Sequence, residues 1–188
     1  LKEVYLSGGE PMYINYNLNL LKKLKRRPDL RIRVNSNMMW EQDNKILKEI
    51  IKFPNVLFTC SADSTNEKFE YIRRGAKWDK FVNNIKFLQS HKNVKVRINL
   101  VFFALNGTSI TDIIDFFHDN VGIKDFTINQ CGMGHTYLRC RNLPSKSKEK
   151  AKQKILIAKE KYHYDLNLVG QLNNCLKELN HAKTEDFS

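Results

Sequence analysis

Leu6-Ser7-Gly8-Gly9-Glu10-Pro11 is the stretch on which the reading of this chain turns. It closes a strand-like run, residues 3–7, so two glycines stand where a strand ends. Glycine adopts positive φ without penalty and lets a ligand approach the backbone closely. Pro11 holds Glu10 extended, so the Glu10 carboxylate and the glycine peptide groups can face one ligand. Carbonyls and a carboxylate are acceptors; they suit an ammonium group and suit phosphate poorly.

Working outward, Ile14, Leu18, Leu21 and Leu24 recur at helical spacing until Pro28. Residues 31–37 alternate like a strand. Ile46, Leu47, Ile50 and Ile51 form a helical stripe that stops before Pro54, and residues 56–62 read as a third strand. Trp78, Phe81, Val82, Ile85 and Leu88 make the clearest amphipathic helix, and 94–103 the longest strand. Ser109 to Asp112 fits a helix start ahead of Ile113, Ile114 and Phe117, and a strand follows at 124–130. Such alternation predicts parallel βαβ architecture.

The strand faces refine this. Val94, Val96, Ile98, Leu100 and Phe102 oppose Lys95, Arg97 and Asn99; Ile32 and Val34 oppose Arg31, Arg33, Asn35 and Asn37; Phe58 and Cys60 oppose Thr59, Ser61 and Asp63. A sheet covered on both faces would show continuous apolar strands. One apolar and one polar face therefore predict helices on one side only, as in a curved sheet or open barrel with a polar lumen. An antiparallel sheet with one wet face is the alternative. An inward Arg33 or Arg97 would need carboxylates, water or an anionic ligand nearby. In barrels of βα units the working site lies at the carboxyl strand ends, here Ser7–Glu10, Ser36–Asn37, Ser61–Asp63 and the residues after Phe103.

Of 188 residues, 41% are hydrophobic and 11% aromatic, enough for a packed core and against wholesale disorder. No apolar run nears the roughly 18 residues of a membrane span, and no leader-like segment opens the chain. It starts inside a pattern, so a fragment of a longer cytoplasmic protein is expected. Four cysteines, 60, 131, 140 and 175, show no CxxC spacing and read as reduced thiols. Thirty-two Lys+Arg against 20 Asp+Glu give +12, which draws polyanions non-specifically, although the charges are spread as on a lysine-rich solvated surface. Cys131, His135 and Cys140 could be ligands but lack a fourth for a closed zinc site, and no metal ligand is assigned. Seven lysines in 145–162, with Ala151, Ile155, Ala158 and Tyr162 at helical spacing, predict a solvated basic helix or an anion- or nucleic-acid-binding face.

Leu-Ser-Gly-Gly-Glu resembles the signature loop of ABC-type ATPases, but that reading requires a GxxxxGK[ST] phosphate loop, which does not occur. The fuller resemblance is to the radical S-adenosylmethionine family, whose GGEP motif ends the second strand of a partial βα barrel. Ser36-Asn37 resembles the family's Thr-Asn-Gly strand end, with Ser for Thr and Met38 for Gly. Ser61-Ala62-Asp63 resembles its next strand end, Ile72-Arg73-Arg74-Gly75 its Ile-Arg-Gly, and Trp78 to Leu88 the helix that follows. Tyr137-Leu138-Arg139 and Leu143-Pro144 are similar to members carrying a short twitch extension.

The resemblance implies an α/β partial, open βα barrel truncated at its N-terminus, over residues 1–144, with a basic helical extension at 145–188. It implies S-adenosylmethionine as cofactor: Gly8, Gly9 and Glu10, ahead of Pro11, at the methionine amino group, Ser61 and Asp63 near the ribose hydroxyls, and Arg74, or Arg73 beside it, on the methionine carboxylate. Ser36, Asn37 and Asn99 would be further polar contacts. A [4Fe-4S] cluster is implied too, on a CxxxCxxC loop absent here and expected upstream. Implied partners are an electron-donor protein such as a flavodoxin or ferredoxin and a peptide or RNA substrate, with no membrane. Two functions follow: an enzyme core that cleaves S-adenosylmethionine reductively to a 5′-deoxyadenosyl radical, or a non-catalytic basic module, a degenerate relative that binds nucleic acid or another polyanion.

Overall fold

The computed structural model describes residues 1–182, and for 133–135 the backbone alone. Its strands are β1 (Glu3–Leu6), β2 (Arg31–Ser36), β3 (Val56–Ser61), β4 (Val94–Phe102) and β5 (Phe126–Gln130), in one open sheet of order β1-β2-β3-β4-β5. The helices are α1 (Asn15–Lys23), α2 (Lys45–Ile50), α3 (Asn66–Ile72), α4 (Trp78–Gln89), α5 (Ile110–Asp115), α6 (Ser145–Lys161) and α7 (Leu166–Asn180). The architecture is the α/β open sheet that strand–helix alternation predicts. Two compact units divide the chain: residues 1–62 with 66–98, and residues 63–65 with 99 onward.

In the first unit β1 pairs β2 in parallel from Glu3↔Arg31 to Leu6↔Val34, and β2 pairs β3 from Ile32↔Val56 to Ser36↔Cys60. Each parallel neighbour needs a crossover, supplied by α1 and α2. Ile32, Val34, Val56, Phe58 and Cys60 are fully buried, with Leu21, Leu47, Ile50, Phe81, Ile85 and Leu88 from the helices. Phe69 of α3 meets Trp78 and Phe81 of α4 at ring distances of 5.2 and 4.8 Å. The opposite strand face is more polar: Arg33 lies over the Tyr5 ring at 4.6 Å, and Asn35 is half-buried. Tyr5 thus gives Arg33 a π-face instead of a carboxylate. Strand β3 departs from the expected alternation, since Leu57 and Thr59 are buried along with Phe58 and Cys60; it is the middle strand of five, where neither face is left wet.

In the second unit the apolar spacing of residues 145–162 is realised: Ala151, Ile155, Ala158 and Tyr162 are buried. Helix α6 keeps its lysines outward, but Lys154 reaches Asp112 at 2.7 Å and Lys161 reaches Asp115 and Asp119 at 2.8 Å each. Helix α7, which falls within the helical extension expected over 145–188 but whose apolar spacing was not read, buries Leu168, Leu172, Cys175 and Leu179. It lies along β5, where the Gln171 side-chain amide replaces a neighbouring strand: its Oε1 accepts from the Ile128 N–H at 2.5 Å and its Nε2 donates to the Phe126 carbonyl at 3.0 Å. An open strand edge exposes such groups to other chains. Among the described residues no helix is long and apolar enough to cross a membrane.

Candidate functional site

The strand-end loops of the first unit meet at Glu10. Gly8 and Gly9 have φ of +83° and +47° and are exposed. A Cβ at either would meet nothing within 4 Å. Glycine is therefore demanded by backbone conformation, and the space over the turn is open to a ligand. Glu10 is extended, at φ −114° and ψ 113°, as Pro11 dictates.

The Glu10 carboxylate reaches the end of β2. Its Oε2 accepts from the Asn37 N–H at 2.8 Å, and the Ser36 hydroxyl lies 3.0 and 3.1 Å from its two oxygens. The Met12 N–H adds a contact at 3.4 Å. Ser36 Oγ in turn accepts from the Met38 N–H at 2.9 Å and from Trp40 Nε1–H at 3.0 Å. One donor proton and two lone pairs are thus all in use, so Ser36 positions the loop. Burial pushes the Glu10 carboxyl above its ordinary range, and the hydrogen bonds from Asn37, Ser36 and Met12 offset part of that rise. All three donors are neutral.

Asn37 Oδ1 accepts from the Met39 N–H at 2.9 Å, a local turn that leaves its amide NH2 for other partners. Met38 has φ of +66° and is fully buried. The left-handed region costs a non-glycine residue about 1–2 kcal/mol, so the backbone keeps a glycine conformation at a position where the motif has glycine and this chain does not. Asn84 of α4 holds the loop from below, donating to the Met38 and Trp40 carbonyls at 2.8 Å each. Asn17 donates to the Pro11 carbonyl at 2.9 Å and Asn44 to the Met12 carbonyl at 3.0 Å. Sequence reasoning missed Trp40 and these asparagines. Only Asn44 left a signal, as the N-cap ahead of the Ile46-Leu47 stripe.

Ser61 ends β3 half-buried, and Arg74 is exposed beyond α3, next to a half-buried Arg73 and to Gly75 at φ +87°. In the second unit Asp63 is buried and its Oδ1 accepts from the Val101 N–H of β4 at 2.9 Å. Asn106, fully buried, donates to the Asp63 and Val101 carbonyls at 2.9 and 2.7 Å and accepts from the Phe103 N–H at 3.0 Å. It ties the Asp63 turn to the end of β4, and was not singled out from the sequence. Asn99 accepts from Asn129 Nδ2 at 2.7 Å.

The cysteines present do not fit a four-iron four-sulfur cluster. Cys60 is fully buried in β3, with its thiol pushed far up by burial. Cys140 and Cys175 are buried in the second unit, and burial raises both thiols, Cys175 to about 12. Cluster ligands are thiolates, and these positions favour the neutral thiol. Cys131 is half-buried just after β5; the His135 side chain, its companion in the sequence-level metal set, lies outside the described residues. Among the described residues no group of three or more His, Cys, Asp or Glu side chains is arranged to hold a metal ion.

Comparison with known proteins bears on this geometry. The chain is similar in fold to the SuiB of Streptococcus suis bound to its precursor peptide SuiA, with TM-score 0.60 and 19% identity over 82% of this chain and 35% of that one. The same SuiB bound to S-adenosylmethionine gives 0.59 and 19% over 82% and 36%. Native anSMEcpe with bound AdoMet and a peptide gives 0.61 and 15% over 90% and 48%. The chain thus spans between a third and a half of these proteins' lengths. No curated protein matches it. The model of the radical SAM superfamily matches residues 1–120, nearly two thirds of the sequence and every strand end of the first unit; the chain belongs to the radical SAM superfamily.

Proposed function

We propose that this chain is the S-adenosylmethionine-binding core of a radical SAM enzyme, with its cluster ligands in sequence outside these 188 residues. The carrying observation is the Gly8-Gly9 turn, left-handed, exposed and unobstructed, beside a Glu10 carboxylate held only by neutral donors. Backbone carbonyls and a carboxylate without a fixed cation suit the methionine ammonium of the cofactor. When bound with the cluster, the cofactor supplies a 5′-deoxyadenosyl radical.

The residues of the first unit divide the work. Gly8, Gly9 and Glu10 take the ammonium, and Ser36 and Trp40 keep Glu10 in place. Arg74, exposed and with no ion pair among the described residues, takes the methionine carboxylate, Asn37 donates its free amide, and Ser61 offers its hydroxyl towards the ribose. The roles that family resemblance implies for Asp63 at the ribose and for Asn99 rest on the second unit, where Asp63 is fixed by Val101 and Asn106. A peptide substrate is favoured over RNA because two of the neighbours were solved with peptides; the electron donor is a small flavodoxin- or ferredoxin-like protein.

The test is anaerobic reconstitution with iron and sulfide of this chain and of a chain extended upstream through a CxxxCxxC segment, followed by assay for 5′-deoxyadenosine. The extended chain should assemble a cluster and turn over, and this chain should do neither. Turnover by residues 1–188 alone would refute the assignment. No turnover by an extended chain with an intact cluster would favour the alternative, a binding module.

A further inference from the structure

We infer that Arg33 anchors a carboxylate of the substrate, which lies over the polar face of β1, β2 and β3. The inference rests on the reading of the chain as a radical SAM core and adds a substrate class to it: a peptide with an acidic group near the position acted upon.

Strand pairing puts the residues in place. Side chains alternate between the two faces of a strand, and Tyr5 pairs with Arg33 and Asn35 with Thr59. Glu3, Tyr5, Arg31, Arg33, Asn35 and Thr59 therefore share one face of the first unit. The charged side chains of these three strands are Glu3, Arg31 and Arg33, and Glu3 lies 3.6 Å from Arg31. One positive charge remains. Glu10, beyond the strand ends, is bonded to Ser36, Asn37 and Met12 instead.

Arg33 is half-buried, and among the described residues its partner is the Tyr5 ring, 4.6 Å from the guanidinium carbon. A π-face attracts the charge but accepts no conventional hydrogen bond from the five N–H donors. Nε is sealed from solvent with no acceptor, whereas the two terminal nitrogens are not sealed. The group has lost part of its water and gained no counter-charge, an arrangement that costs stability until an anion completes it. Thr59 on the neighbouring strand repeats the pattern, 4% exposed with an unpartnered hydroxyl. Buried polar groups ordinarily find partners within the fold.

The open end of the guanidinium selects the ligand. Its two terminal nitrogens present N–H groups that match both oxygens of a planar carboxylate, and one positive charge suits one negative charge. Asn35, half-buried and one step nearer the loop, offers its amide to the same ligand. Arg33 stands four residues, about 13 Å of strand, before Asn37. The held carboxylate is therefore a handle, and the reacting position lies several bonds away, towards the Gly8-Gly9 turn.

The experiment is an NMR titration of the 188-residue chain with three capped residues. N-acetylglutamic acid α-amide carries a side-chain carboxylate, N-acetylglutamine a terminal one, and N-acetylglutamine amide neither. A carboxylate should shift the Arg33 Nε–H, Tyr5 and Asn35 signals saturably, binding roughly fivefold tighter than the neutral probe, as a partly screened ion pair gives. Arg33→Gln should lower the acid to the affinity of the neutral probe. Arg33→Lys, which keeps the charge, should retain part of the difference, and Lys150→Gln, the same loss of charge on α6, should retain all of it. Preference for the first acid assigns the handle to an acidic side chain, and preference for the second to a peptide C-terminus. Saturating S-adenosylmethionine should leave the carboxylate bound; displacement would put Arg33 in the cofactor site and overturn the inference. Failure of S-adenosylmethionine to shift Gly8 and Gly9 would count against the cofactor reading alone, because the carboxylate titration needs no cofactor. Equal binding of acid and neutral probes, indifference to Arg33→Gln, or an equal loss in Lys150→Gln would overturn the inference.

Discussion

The two units treat a buried carboxylate in opposite ways. Glu10 in the first is surrounded by an amide N–H of Asn37, the hydroxyl of Ser36 and the N–H of Met12, all neutral, and burial leaves its carboxyl raised. Glu178 in the second is buried where Glu10 is half-buried, and Arg139 and Arg141 hold it from 3.2 and 2.7 Å. Burial still raises its carboxyl, yet the Arg141 hydrogen bond and the two guanidinium charges outweigh it and set the group below its ordinary 4.5. A shell of neutral donors fixes geometry and leaves charge uncompensated, which is what a site for a cationic ligand requires. A pair of arginines neutralises the charge, and what remains is a clamp holding α7.

The largest effect should come from breaking that clamp. Glu178→Gln strands two half-buried guanidinium groups, and breaking a buried pair costs about 3–5 kcal/mol; urea unfolding should read that loss. Glu10→Gln keeps hydrogen-bonding capacity against neutral donors and should cost far less. If the two substitutions cost the same, the contrast is wrong.

Next is the β5 edge. Gln171→Leu removes both partners of the Ile128 N–H and the Phe126 carbonyl, and each unsatisfied backbone group costs about 1–3 kcal/mol when buried. A lower unfolding midpoint and concentration-dependent association by light scattering are expected. Unchanged stability with no association would show that the packing of α7 alone protects the edge.

At the first unit's loop the test is Met38. Met38→Gly loses a fully buried side chain but relieves left-handed strain of about 1–2 kcal/mol, whereas Met38→Ala loses the side chain and keeps the strain. The glycine variant should therefore be the more stable of the two by about 1 kcal/mol, the reverse of the usual order of alanine and glycine. Alanine equal to or above glycine would place Met38 outside the strained class.

The smallest effect is in pH. A carboxyl raised in the folded state binds more protons there, so its contribution to stability improves as pH falls from neutrality through the folded value. A lowered carboxyl contributes fully above about 4.5 and loses that contribution as pH falls through its folded value. Between pH 7 and 4 the difference in stability between the parent and Glu10→Gln should therefore grow in the parent's favour. The corresponding difference for Glu178→Gln should shrink once pH passes below 4.5. Slopes of the same sign would contradict the contrast.

Legibility followed the same division. Leu6 to Pro11 is contiguous, its glycines and proline act on their own backbone, and strands such as β2 and β4 alternate plainly, so the sheet and the strand-end loop could be read directly. The bond from Glu10 to Ser36 and the grip of Asn84 on residues 38–40 join positions far apart in sequence, and an asparagine looks the same whether it binds water or two carbonyls. Helix α7 falls in the expected helical extension, but its buried face was not read. Leu168, Leu172, Cys175 and Leu179 carry helical spacing that was present to be read, but the role of Gln171 depends on a β5 edge 43 residues away. The short α3 offered only Phe69 and Ile72 as an apolar pattern.

The central claim, that the Gly8-Gly9 turn is a cofactor site, is met most directly by calorimetric titration of S-adenosylmethionine into three proteins: the parent chain, Gly9→Val, and Gly122→Val. Gly122 also has positive φ, +75°, with nothing within 4 Å of a built Cβ, so it carries a comparable backbone penalty in the second unit. The account predicts weak binding by the parent, none by Gly9→Val and parent-like binding by Gly122→Val. Parent-like binding by Gly9→Val would contradict it.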